Sequence, residues 1–308
     1  MHVAEPSRKI EATKRGTKPG LWIFKMLLRL FGLRGAYGLL YFVGLHYALF
    51  DRTAVPAALA YVARRFPGCS RLKRRFLVYR LFVSQGKQLI DRHAIISGSY
   101  KFDIELKGYE QFMAMVRDKS KGFIMLTAHV GNWQIAMEAL KGIERTVHLV
   151  MRPEDNPAVK ESFRIDEDRG FLRIISPEQF LGGVVEVMGV LEKGEIVSIM
   201  GDRSYGFKAL DVSFLGDKAW LPYGAFAIAA AAECPVVVLL SAKESAGRYV
   251  VDASHVLYPR YEGRRNKTQQ LKKWVQEFAA VLEAYVEQYP YQCFLFHDVW
   301  TDESREKV

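Results

Sequence analysis

The hydrophobic rhythm of the chain changes near residue 100. Before that point apolar positions recur at helical spacing, and four helices are expected, over residues 21–31, 35–50, 55–65 and 71–96. Phe66-Pro67-Gly68 divides the third from the fourth as a turn. After Lys101, short β-rich runs alternate with helical stretches. Strands are expected at 122–128, 146–150, 172–175, 196–200 and 235–240, and helices at 132–140, 158–169, 180–193 and 223–232. Such alternation predicts an α/β fold, with a mostly parallel central sheet flanked by helices. The runs 236–241 and 249–253 flank Ala246-Gly247 as an antiparallel hairpin. An amphipathic helix over 267–288 follows, and an aromatic-rich end, Tyr291 to Trp300, is expected to dock on the core. The chain shows no internal repeat and no low-complexity segment.

This pattern divides the chain into a basic, disordered tail (1–20), a helical membrane-associating region (21–100), an α/β domain (101–300) and a short tail (301–308). Half of the 308 residues are hydrophobic, ample for a large core. Cys69, Cys234 and Cys293 have neither C-x-x-C spacing nor histidines beside them, so neither a disulfide framework nor a metal site is expected, and a reducing compartment is the natural setting. Residues 1–20 are polar, with Lys9, Lys14, Arg15 and Lys18, and lack the apolar core and small-residue cleavage site of a secretory signal.

From Leu21 the chain turns apolar, interrupted by Lys25, Arg29 and Arg34. Residues 35–50 carry no formal charge with His46 neutral, yet fall short of the roughly 20 that a spanning helix needs. A buried helix and an interfacial one remain open. The neighbouring cations, with Trp22, Phe24, Tyr37, Tyr41 and Phe42, favour the interface; a single-span anchor is the runner-up.

The net charge of +10 favours anionic partners: a membrane surface, phosphorylated lipid, an acidic carrier protein or nucleic acid. The run Arg71-Leu72-Lys73-Arg74-Arg75 reads first as a solvated face, and second as a contact for lipid phosphates or an acidic carrier. Nucleic acid is not expected, because the cations concentrate beside apolar helices and not with exposed aromatics on a recognised module.

The candidate chemistry begins at Leu126-Thr127-Ala128-His129-Val130-Gly131-Asn132-Trp133-Gln134. A histidine between a buried strand and a helix start suits a general base, since imidazole titrates near working pH. Equally, it can be a structural histidine satisfied by backbone at a strand end. Three further blocks follow: Val150-Met151-Arg152-Pro153-Glu154-Asp155-Asn156-Pro157, Gly201-Asp202-Arg203-Ser204-Tyr205-Gly206, and Phe214-Leu215-Gly216-Asp217-Lys218-Ala219-Trp220-Leu221-Pro222-Tyr223-Gly224. Together with the histidine block, in this order, they resemble the lipid A biosynthesis (lauroyl and myristoyl) acyltransferases of Gram-negative bacteria, within the lysophospholipid acyltransferase-like superfamily. The resemblance covers about residues 20 to 300. It implies that a lipid hydroxyl attacks a fatty acyl thioester, with His129 as base, no cofactor and no metal.

The chain departs from the family at one position. An acid five residues after the histidine would orient the imidazole, and here that residue is Gln134. A neutral partner can hold one tautomer but cannot stabilise imidazolium; in serine proteases the corresponding change costs about 10⁴ in rate, part of it from a wrong tautomer. Three readings follow: a glutamine dyad, a relocated acid, or lost catalysis. Asp202, at the end of an apolar strand, is the candidate for the relocated acid, because strand ends in open α/β sheets converge on one crevice. Glu138, one helical turn from Gln134, reads first as a solvated carboxylate.

Arg152 and Arg203 are candidates for binding an anionic acceptor or supporting the oxyanion, with exposed salt bridges as the alternative. Asn132 is a candidate N-cap, and the amides of Gly131 and Asn132 are candidate oxyanion donors. Gly216, Pro222 and Gly224 read as shape residues beside a docked thioester or sugar, or as an ordinary loop, with Pro222 in the first turn of the following helix. Trp133 reads as core, and His148, His255 and His297, lacking companions in sequence, as structural.

The expected protein is a peripheral or single-anchor acyltransferase at the cytoplasmic face of the inner membrane. Its donor is acyl carrier protein or coenzyme A, its acceptor a lipid A precursor, and its surroundings anionic lipid. The alternatives are an acyltransferase for another amphiphile, such as an amino-acid lipid or an aryl polyene, and a non-catalytic lipid-binding protein.

Overall fold

The computed structural model describes residues 18–140, 143–151, 172–177, 183–203 and 208–301. Helix α1 (Lys18–Phe50) begins inside the expected tail and breaks at Gly32, whose φ of 63° is open to glycine at little cost. The two helices expected over 21–31 and 35–50 are therefore the two arms of one kinked rod. Helix α2 (Ala54–Arg65) starts where the Asp51 carboxylate accepts the amides of Thr53 and Ala54 at 3.0 and 2.8 Å. Helix α3 (Arg71–Ile96) is capped by Ser70, whose hydroxyl accepts the Lys73 amide. Small residues let α1 and α3 approach closely: a Cβ on Gly44 would lie 2.7 Å from Val83, and one on Gly86 2.6 Å from Leu40.

The α/β unit opens with β1 (Asp103–Lys107) and α4 (Tyr109–Arg117), neither of which the periodicity predicts. Then come β2 (Phe123–Thr127), α5 (Trp133–Ala139), β3 (Val147–Val150), β4 (Leu172–Ile175), α6 (Val184–Glu192) and β5 (Ile196–Met200). The remaining elements are β6 (Ala209–Phe214), β7 (Asp217–Pro222), α7 (Gly224–Ala232), β8 (Val236–Lys243), β9 (Arg248–Leu257), α8 (Lys267–Gln270) and α9 (Lys272–Gln288). The helix expected over 158–169 lies outside the described residues.

Seven strands form one sheet in the order β1-β9-β8-β2-β5-β3-β4, and β8–β9 is its antiparallel pair. Strand β2 is buried along its whole length between β5 and β8, which is why it reads as an unbroken apolar run. Its side chains serve opposite faces by turns. Ile124 and Leu126 meet Phe226 and Phe278 in one core, while Phe123 and Met125 meet Phe112 and Met137 in the other. The hairpin β6–β7 stands apart from this sheet and packs on α9, where the Gln276 side chain bonds both ways with the Ser213 backbone at 2.8 and 3.0 Å.

A buried polar cluster joins the helical region to the sheet. Asp91 of α3 has no exposed surface and accepts from the hydroxyls of Tyr37 (α1) and Tyr249 (β9) and from the Lys243 ammonium (β8). Burial pushes Lys243 below the usual lysine range, and Asp91 opposes that. Nearby, the Gln292 side chain accepts from Gln88 (α3) and from the Lys243 amide, and donates to the Lys243 carbonyl, each at 2.8 Å. Truncating Asp91 strands a buried ammonium. Asp91→Ala is expected to lower stability by about 3–5 kcal/mol in urea unfolding, and Asp91→Leu/Lys243→Met to recover much of it.

Candidate active site

Strands β2 and β5 run parallel in a register that pairs Thr127 with Met200. Two residues beyond each strand end, His129 and Asp202 meet. Asp202 is fully buried, and its carboxylate accepts both the His129 backbone amide at 3.0 Å and the imidazole Nδ1 at 3.0 Å. A carboxylate that only accepts assigns the proton to Nδ1 and leaves the lone pair on Nε2. The His129 side chain is 23% exposed, so the ring is not sealed inside the fold.

Burial acts most strongly on Asp202 and would raise its pKa. The charge and hydrogen bonds of His129, with the Arg203 guanidinium, outweigh it and hold the carboxyl below its usual range. The geometry is that of a base oriented by an acid.

Gly131 makes the turn behind the histidine possible. Its φ is 55°, and a Cβ there would lie 1.6 Å from the Ser241 carbonyl oxygen and 2.8 Å from the Tyr285 hydroxyl. The turn is held by the C-terminal segment: the Gly131 amide donates to Gln292 O at 2.8 Å, and the Phe294 amide to His129 O at 2.7 Å. Arg203 extends this clamp, donating from Nη2 to Phe294 O at 2.8 Å. The aromatic end thus docks as its composition suggested, with Trp300 stacked on Phe214 and its indole donating to Phe214 O at 3.2 Å.

Several expected roles change. Asn132 is buried, its amide donates to the Ser241 hydroxyl at 2.8 Å, and its side chain donates to Gln88 O at 2.9 Å. The Gly131 and Asn132 amides are therefore engaged within the fold and are not open oxyanion donors, because each N–H has one proton to give. Gln134, in the first turn of α5, makes no hydrogen bond to His129 among the described residues, since Nδ1 already faces Asp202. Of the three readings left open by Gln134, the relocated acid is the one whose partners the fold brings together.

Gly216 forms, with Leu215, the two-residue turn of β6–β7, where both have positive φ (80° and 54°). Pro222 ends β7 opposite Ala209, and the helix starts two residues later at Gly224; the proline is a strand end, not a first helical turn. A Cβ on Gly216 or Gly224 would meet nothing within 4 Å, so neither is demanded by close packing. His148 does have a companion, the Glu195 carboxylate, and His255 lies 3.3 Å from the Ser254 hydroxyl. Arg152 lies outside the described residues, as does the side chain of Glu138. Among the described residues, no group of three or more His, Cys, Asp or Glu could hold a metal ion.

The model of the bacterial lipid A biosynthesis acyltransferases matches residues 8–302. The chain belongs to that family. No curated protein matches it individually. Membership in the family gives the chain a reaction class, acyl transfer, that the His129–Asp202 pair alone would not specify.

The candidate site also rests on residues that the sequence did not reveal. Gln88, Ser241, Tyr285 and Gln292 hold the turn from His129 to Asn132, with Tyr285 donating to Ser241 O at 2.8 Å. Asn132 and Ser241 are 109 positions apart, so no local spacing joins them.

Two outcomes follow from this geometry. Gly131→Ala is expected to be destabilised by several kcal/mol, or to fail to fold, in thermal and urea unfolding, because positive φ and a backbone clash add. The carboxyl of Asp202 is depressed, so its contribution to stability is full above the ordinary carboxylate pKa of about 3.9 and is lost as pH falls through the lower folded value. Stability measured against pH should accordingly fall less steeply below about pH 4 in Asp202→Asn than in the wild type.

Proposed function

We propose that this protein transfers a fatty acyl group from a thioester, on acyl carrier protein or coenzyme A, to a hydroxyl of a membrane lipid, with a lipid A precursor as first acceptor. His129 Nε2 takes the proton of the attacking hydroxyl while the oxygen bonds to the thioester carbonyl carbon. The tetrahedral intermediate then collapses, the C–S bond breaks, and the imidazolium returns its proton to the departing thiolate. Asp202 keeps the imidazole in the productive tautomer and stabilises its charged form. The observation carrying this reading is the buried carboxylate at 3.0 Å from Nδ1 of a histidine whose ring reaches the surface.

The exposed side chains of α1 support a membrane setting. Trp22, Leu30, Phe31, Phe42, Leu49 and Phe50 are 59–75% exposed, a cost in water that an apolar phase removes. By length and composition, the 29-residue stretch Trp22–Phe50 could also cross a membrane, with a mean hydropathy of 1.3 over its most apolar 18 residues. We place the protein at the cytoplasmic face of the inner membrane, where both thioester donors are found. A different amphiphile, such as an amino-acid lipid or an aryl polyene, is the second reading of the acceptor. It is favoured by an acid that reaches His129 from β5 and not from Gln134.

The test is transfer from labelled acyl carrier protein, and separately from acyl coenzyme A, into a total lipid extract, with the labelled product identified. His129→Ala is expected to abolish transfer. Asp202→Asn should lower kcat by about 10³–10⁴ with little change in KM, because it removes an interaction strongest in the transition state. Gln134→Glu should change the rate little. Full activity in His129→Ala would refute the mechanism, and vesicle binding without product from either donor would favour a non-catalytic lipid-binding protein.

A further inference from the structure

At the junction of the helical region, the first arm of α1 and the segment around the end of α3 line an open cleft of about 520 Å³. It is lined by Lys25, Leu28, Arg29, His93 and Ser99. Lys25 and Arg29 are one helical turn apart and both exposed, and among the described residues neither makes an ion pair. His93 faces them from α3; burial, then Lys25 and Arg92, hold its imidazole below the usual histidine range.

At the carboxyl end of α3 the carbonyls of His93, Ala94 and Ile95 already have donors and do not call for these cations. The Ser97 amide bonds His93 O at 3.0 Å, the Gly98 amide bonds Ile95 O at 3.1 Å, and Ala94 O accepts the Tyr100 amide at 3.2 Å and the Ser97 hydroxyl at 3.3 Å. What remains is a concave site with two exposed cations and an imidazole and, among the described residues, no carboxylate in its lining; the Ser99 hydroxyl on its rim is bonded to the Ser97 hydroxyl at 2.7 Å. A phosphate oxyanion suits such a pair of cations beside an imidazole. On the same helical arm, Trp22, Ile23, Met26 and Leu30 are exposed apolar side chains, suited to acyl chains beside an anionic headgroup.

We propose that this cleft binds the phosphate of a single anionic membrane lipid, at a site built by the α1–α3 junction and separate from His129. The inference rests on the membrane setting proposed above but not on acyl transfer.

The first test follows the His93 imidazole resonance, assigned with His93→Gln, in the full-length protein. Dihexanoyl phosphatidylglycerol should shift it, whereas dihexanoyl phosphatidylcholine and inorganic phosphate at the same concentration should not. The shift should vanish both in Lys25→Gln/Arg29→Gln and in Ser99→Trp, which fills the cleft without altering charge. In sedimentation with phosphatidylcholine vesicles, preference for those containing phosphatidylglycerol should fall about ten-fold or more in the double variant. It should fall in Ser99→Trp as well, which a diffuse electrostatic attraction would leave unchanged.

A resonance that ignores both phosphatidylglycerol and phosphate, or a shift that survives both variants, would overturn the site. Equal shifts with phosphate and lipid would overturn the lipid assignment. Failure of the protein to bind any vesicle would refute the membrane setting, while the dihexanoyl lipids would still judge the cleft.

Discussion

A fully buried carboxylate is costly unless its charge is answered by donors, and Asp202 is answered three ways: by the His129 amide, by the His129 imidazole and by the field of Arg203. Those partners exist only because β2 and β5 are adjacent, parallel and in the register that pairs Thr127 with Met200. A slip of one residue would turn Leu126 and Ile199 to the wrong faces and separate the pair. The site and the sheet are thus bound by one constraint. The alternation of β2 side chains between two buried cores also sets the position of the histidine.

Around that pair the chain builds a frame of backbone bonds. The segment from Gln292 to Phe294 lies along His129–Gly131, and Arg203 ties the segment back to the loop that carries Asp202. Asn132, Ser241, Gln88 and Gln292 connect the same turn to α3, and the Asp91–Lys243 cluster connects α3 to β8. The kinked α1 rests on α3, so the exposed apolar helix and the turn that carries His129 share one partner. Precise placement of a general base needs such support, because small displacements of a reacting group cost large factors in rate.

The alternation after residue 100 was legible because each buried strand must be apolar and each helix amphipathic, whatever their neighbours. The sheet elements at 103–107 and 209–222 were not. Strand β1 is an edge with alternating exposure and three charged residues among five, and β6–β7 is a partly exposed hairpin whose turn has Leu215 in a conformation that leucine rarely adopts. His148 carried no signal of its partner, since Glu195 arrives from 47 residues away.

Sequence alone determined the alternation of buried strands and helices after residue 100, the apolar stretches over 21–50, the candidate base at His129 and, through four ordered motifs, the family; these depend on local periodicity and on residue types at short spacing. Tertiary structure alone decided which acid reaches His129, that the Gly131 and Asn132 amides are occupied, and that Gly216 and Pro222 belong to a hairpin. Asp202 and His129 are 73 positions apart, and only the pairing of two parallel strands converts that separation into 3.0 Å.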